Sequence, residues 1–136
     1  MATRQQSVVR VDPNDGSTEA TVETGPGSRF MTVGEDAVWV MNQDDGTVSR
    51  IDPDTDTVVA TVQASEGRIP GGDIAAGDGV VWVRTDTELA AAIDVATDEV
   101  VRVLGPAAGS GSIAVTEDAV WITAHDVTEV YRVPTG

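Results

Sequence analysis

Cysteine is absent from this chain. That excludes disulfides, Cys-ligated zinc, iron–sulfur clusters and a thiol nucleophile, and it leaves the redox compartment open. Lysine is absent too. All eight basic residues are arginine, set against 23 Asp and Glu, for a net charge of −15. So acidic a surface repels phosphate backbones and anionic lipid, so neither nucleic acid nor a membrane surface is expected as a partner. Aromatics are scarce: three Trp, one Tyr and one Phe. No apolar run approaches the roughly 18 residues of a transmembrane helix. The opening Met1-Ala-Thr-Arg-Gln-Gln6 has no apolar core of the signal-peptide kind, although a mature extracellular domain restarted at Met1 reads the same way.

Asp/Glu-rich, Lys-free sequences suit high-salt cytoplasm, where screening removes self-repulsion. A GC-rich genome, which favours Arg codons, accounts for the bias equally well. What remains is 40% apolar residues in 136, enough for one domain with a core.

Those apolar residues repeat. Trp39, Trp82 and Trp121 are spaced by 43 and 39 positions, each within one phrase: Ala37-Val-Trp39-Val, Val80-Val-Trp82-Val, Ala119-Val-Trp121-Ile. A second phrase recurs out of phase with the first: Val9-Arg-Val-Asp-Pro13, Ser49-Arg-Ile-Asp-Pro53, Ala91-Ala-Ile-Asp94 and Tyr131-Arg-Val-Pro134. A third follows, as Glu19-Ala-Thr-Val22, Val58-Val-Ala-Thr-Val62 and Glu99-Val-Val-Arg-Val103.

Each phrase is short, rich in Val, Ile and Thr, and bounded by Gly, Pro, Asp or Asn, which is the signature of a strand. No stretch carries a 3.6-residue apolar period of helical length. Ala90-Ala91-Ala92 favours helix locally but aligns with strand residues in the sister repeats, so it reads as strand. With Phe30–Val33, Asp73–Ala76 and Ser112–Val115 as a first strand, the chain runs c-d, a-b-c-d, a-b-c-d, a-b-c. Asp44-Asp45-Gly46 is a b–c hairpin turn, and Asp-Pro-Asp-Thr-Asp links c to d.

Four antiparallel strands every 40 or so residues describe a β-propeller blade. The expectation is all-β, with strands c-d over 7–22, blades over 29–63 and 73–104, and an incomplete blade over 112–133. Strands a and b, apolar on both faces, belong near the axis, and the more polar strand d belongs at the rim. The Val-Trp-Val and Arg-Ile-Asp-Pro phrases, with the lead-ins Gly25-Pro26, Ile69-Pro70 and Gly105-Pro106, resemble the blades of streptogramin-B-lyase-like and YVTN-type propellers.

Closed propellers have about four to eight blades. Three blades are therefore a piece of a longer propeller, half of a six-bladed ring closed by two chains, or an open arc. Thirteen strands leave one c strand surplus in the two-chain ring, which favours the first reading.

Few residues point to chemistry. Asp52, Asp54 and Asp56 alternate as calcium ligands do, but lack the later Gly and distal Glu of such a loop. Turn chemistry explains them as well, so no cofactor is assigned beyond a divalent-metal alternative. His125, beside Asp126 at a b–c turn, is the sole His. The resemblance implies a His base and a magnesium ion held by further His and acidic residues, for opening a cyclic peptide lactone. One His is fewer than that site needs, so a solvated loop residue is the plainer reading.

The face shared by the b–c and d–a loops is expected to present Arg29, Asn42, Gln43, Asp44, Arg68, Arg84, Asp86, His125 and Asp126. Such a rim suits a non-enzymatic binding or scaffold role; an excised or engineered segment is the further alternative. The three Trp are expected to fill the gaps between blades.

Overall fold

The computed structural model describes residues 6–135. Residues 1–5, most of the stretch lacking a signal-peptide core, lie outside the described residues. These residues form thirteen strands and no helix, so they contain no helix long and apolar enough to cross a membrane.

β1 (Ser7–Val11) pairs with β2 (Thr18–Glu23) as a two-stranded first blade. β3 (Ser28–Gly34), β4 (Ala37–Asn42), β5 (Thr47–Asp52) and β6 (Thr57–Gln63) form the second. β7 (Asp73–Gly77), β8 (Val80–Arg84), β9 (Ala90–Asp94) and β10 (Glu99–Leu104) form the third. β11 (Ile113–Val115), β12 (Ala119–Ala124) and β13 (Glu129–Pro134) form a three-stranded fourth. Every pairing is antiparallel between consecutive strands, as in an up-and-down blade. The alanine run is strand β9, as its repeat alignment requires.

Local chemistry sets the turns. The two-residue a–b turn of the second blade places Glu35 and Asp36 at φ of 54° and 57°, and Asp78-Gly79 does the same in the third. This is the hairpin geometry whose twist matches the strands. In the c–d turns, Asp52 Oδ1 accepts the Asp54 amide at 2.8 Å, and Asp94 Oδ1 accepts the Ala96 amide at 2.7 Å. Aspartate thus caps both turns, with Pro53 following it in the second blade and Val95 in the third.

Strand a lies innermost, with β3 beside β7 and β7 beside β11. Strand b is the most buried, and strand d alternates exposed residues along the rim. The blades stack through two unlike faces. The face looking to the following blade carries the Trp: Trp39, Met41, Val48 and Val62 pack against Ile74, Val81, Val83 and Ile93 of the third blade. Trp82, with Ala90 and Leu104, packs likewise against Ile113, Val120, Ile122 and Val133 of the fourth. Cross-blade arginines reinforce the stack. Arg10 meets Asp56 at 3.2 Å, and Arg50, stacked 5.0 Å above Trp39, donates to Asp98 at 2.8 Å and to the Val95 carbonyl.

One expectation is corrected. Trp39 and Trp82 are 0% and 3% exposed, but Trp121 is 42% exposed. Its face would be covered by a following blade, and none follows it within the described residues.

Candidate functional site

The b–c turns and d–a loops do share one face. On it, three segments around the second blade enclose a cleft of about 390 Å³. Gly27, Ser28 and Arg29 come from the loop entering β3, Gln43 and Asp44 from the b–c turn, and Arg68 and Pro70 from the loop between β6 and β7. Backbone bonds fix the walls: Gln43 N–H to the Gly27 carbonyl (3.0 Å), Asp44 N–H to that of Pro26 (3.2 Å), and Ile69 N–H to that of Gln43 (2.8 Å). Gly27 has φ of +73°, and a Cβ there would lie 2.8 Å from the Asp44 carboxyl carbon, so the wall closes only around glycine.

Within the cleft, Arg68 Nε lies 3.5 Å from Asp44 Oδ1. Arg29 and Arg68 are both exposed, and Arg29 makes no ion pair among the described residues. Two of the eight arginines of a strongly acidic chain therefore line one small opening. The cleft falls within the roughly 300–1,000 Å³ range of small-molecule sites.

Two expected rim residues, Asn42 and Arg84, are instead fully buried, and Gln43 lines the cleft but is itself buried. Asn42 is fully buried, its amide donating to Thr47 Oγ1 and Ser49 Oγ at 2.9 Å each. Gln43 is buried at the cleft floor and donates its amide to the Gly71 carbonyl at 3.1 Å. Arg84 is fully buried as well. Its guanidinium donates to the carbonyls of Thr85, Leu89 (3.0 Å), Ala108 (3.5 Å) and Thr123 (3.2 Å), tying the third blade to the fourth. Burial pushes its pKa below the ordinary arginine value, with Asp86 the leading opposing influence.

The sequence carried a signal for this. Arg84 lies two positions after Trp82, so strand alternation puts both on one face, where the second blade has Met41. Asp86 is half-buried, with Oδ1 lacking a hydrogen-bond partner among the described residues.

His125 and Asp126 sit at the b–c turn of the fourth blade as expected, both exposed. The His125 ring makes no hydrogen bond among the described residues, and no other His exists to join it. Asp52, Asp54 and Asp56 do not converge. Asp52 caps its own turn, and Asp56 pairs with Arg10. Among the described residues no three His, Asp or Glu are placed to hold a metal ion.

No family model and no curated protein matches the chain. Solved structures do. The computationally designed Ika4 protein, a designed propeller, aligns with a TM-score of 0.79 and 14% identity, over 98% of this chain and 82% of its own. Hydrazine synthase from Kuenenia stuttgartiensis aligns with 0.71 and 15%, over 95% and 44%. Apo AztD from Citrobacter koseri aligns with 0.64 and 15%, over 74% and 29%. The chain thus spans less than half of either natural protein. Likeness at such identity is one of fold, and the fold is a β-propeller arc.

Proposed function

We propose that the chain is a binding module whose cleft at the second blade takes a small ligand bearing a carboxylate or phosphate. The observation behind this is the convergence of Arg29 and Arg68 on one opening in a chain of net charge −15. Exposed guanidinium groups offer a fork of N–H donors suited to either anion. Asp44 holds Arg68 in place across the cleft. Loops on a rigid sheet scaffold are the usual seat of such recognition. The closer kinship with streptogramin-B-lyase-like and YVTN-type propellers belongs to this proposal and rests on the Val-Trp-Val and Arg-Ile-Asp-Pro phrases.

The test is an amide NMR titration of the full chain with succinate and, separately, inorganic phosphate. Shifts confined to residues 27–29, 43–44 and 68–70, and lost in Arg29→Ala/Arg68→Ala, are expected. No shifts, or shifts spread along the surface and kept in the double variant, would refute the reading.

A further inference from the structure

Among the described residues the first blade has strands c and d but no a or b, and this leaves an apolar groove of about 150 Å³ against the second blade. Val8, Val22, Met31, Val38 and Ile51 line it. The registers show what they correspond to. Val8 pairs with Val22 as Val48 pairs with Val62, and Arg10 pairs with Ala20 as Arg50 pairs with Ala60. Thr32 pairs with Trp39 as Ala75 pairs with Trp82, so Met31 corresponds to Ile74, and Val38 to Val81. Ile51 pairs with Val38 as Ile93 pairs with Val81.

The groove therefore repeats, residue for residue, the Val48, Val62, Ile74, Val81 and Ile93 that enclose Trp39. It is the mould of a strand-b tryptophan. The polar edge repeats as well. Arg10 lines the groove, bonded to the Pro53 carbonyl and to Asp56, just as Arg50, bonded to the Val95 carbonyl and Asp98, covers the Trp39 ring.

Among the described residues one strand-b tryptophan, Trp121, has no following blade against it and is 42% exposed. We propose that the groove takes β12 of a second copy of this chain, seating Trp121 there, and that two copies close a ring through two such junctions. In each junction β11 and β12 of one copy serve as strands a and b beside β1 and β2 of the other. Two complete blades per chain and two composite ones make six. Among the described residues no strand pairs with the outer edge of β1, and exposed edges of this kind accept added strands.

β1 then replaces β13 alongside β12. The exchange is between like strands: Val9-Arg10-Val11 stands where Tyr131-Arg132-Val133 did, and Arg10 takes over the stacking on Trp121 that Arg132 makes at 5.8 Å. The surplus c strand of the sequence is β13, the strand released. The internal blade junctions supply the interface chemistry, and the docked strand continues it. The contact is head-to-tail, and such contacts close when the rotation allows.

Light scattering on the full chain over a concentration series tests this. A species of twice the 14.1 kDa chain mass is expected. Trp121→Ala and Met31→Glu alter residues 42% and 49% exposed, so each should stay folded by circular dichroism while its dimer dissociation constant rises about 30-fold or more. Mixing the two variants restores one intact junction per pair and should restore a dimer. Because the chain has no cysteine, Thr123→Cys in one copy and Val8→Cys in the other should cross-link on oxidation, as the Met41–Val48 pairing predicts. A monomer at high concentration, species that grow without limit, or a dimer indifferent to both variants would overturn the proposal.

Discussion

Three tryptophans at one repeat position should differ sharply in what they contribute. Trp39 is fully buried, its Nε1–H donates to the Gly34 carbonyl at 3.2 Å, and Arg50 stacks on it while bonding the next blade. Trp39→Ala opens a cavity that the two flanking sheets cannot collapse into, at a cost of about 3–5 kcal/mol. Trp82, 3% exposed, has Nε1 unpartnered among the described residues. Its replacement by Ala should cost about as much, but Trp82→Phe should be milder than Trp39→Phe, since no hydrogen bond is lost. Trp121, 42% exposed and covered on one side by Arg132, should cost about 1–2 kcal/mol in the monomer. For a chain of this size 1 kcal/mol moves Tm by about 3–5 °C, so Trp39→Ala should melt about 9–25 °C lower and Trp121→Ala about 3–10 °C lower. Far-UV circular dichroism during urea and thermal unfolding of dilute protein reads both, without depending on the fluorophores being removed. Equal losses for Trp39→Ala and Trp121→Ala in the monomer would refute the argument that each blade is sealed by its successor.

Two further outcomes follow from local geometry. Gly46 has φ of +72°, and a Cβ there would lie 2.2 Å from the Gly67 carbonyl oxygen, whereas Gly16, at +74°, has open space. Gly46→Ala should therefore cost at least about 2 kcal/mol and Gly16→Ala about 1, by urea midpoint, and equal costs would contradict the close packing of loops beside the cleft. Hydrogen bonds from Ser17 hold the Asp15 carboxyl below the usual aspartate value, and the Thr116 hydroxyl, followed by Arg132, does so for Asp118. With folded pKa values below the unfolded value of about 3.9, both groups add stability above that pH and lose it as pH falls through the folded value. A carboxyl NMR titration should show the Asp15 midpoint move up in Ser17→Ala; an unmoved midpoint would remove the Ser17 hydroxyl as the leading cause.

Much of the fold was legible because strands and turns are local. Alternation at period two, Gly and Asp at the turns, and a 40-residue recurrence fixed every strand and its neighbour in the sheet, including β9, where the alanine run argued for helix. The site was less legible. Asn42 and Arg84 read as loop residues because polar side chains at strand ends usually reach water. Each lies on a strand-b face that another blade covers, so its polar groups turn to Thr47 and Ser49, or to four carbonyls. Arg29, Asp44 and Arg68 are 39 positions apart from end to end, and nothing in their spacing joins them. The cleft exists because three loops of one blade fold over the same end of its sheet.

The sequence by itself determined which segments are strands, where they turn, and which residues of each strand share a face, since these depend on backbone sterics and residues near in the chain. Only the tertiary structure decided which of those faces meets another blade. Trp39 and Trp121 occupy the same place in the same phrase, yet one is sealed and the other open. Burial is a property of the neighbour that arrives, and the phrase carries no record of it.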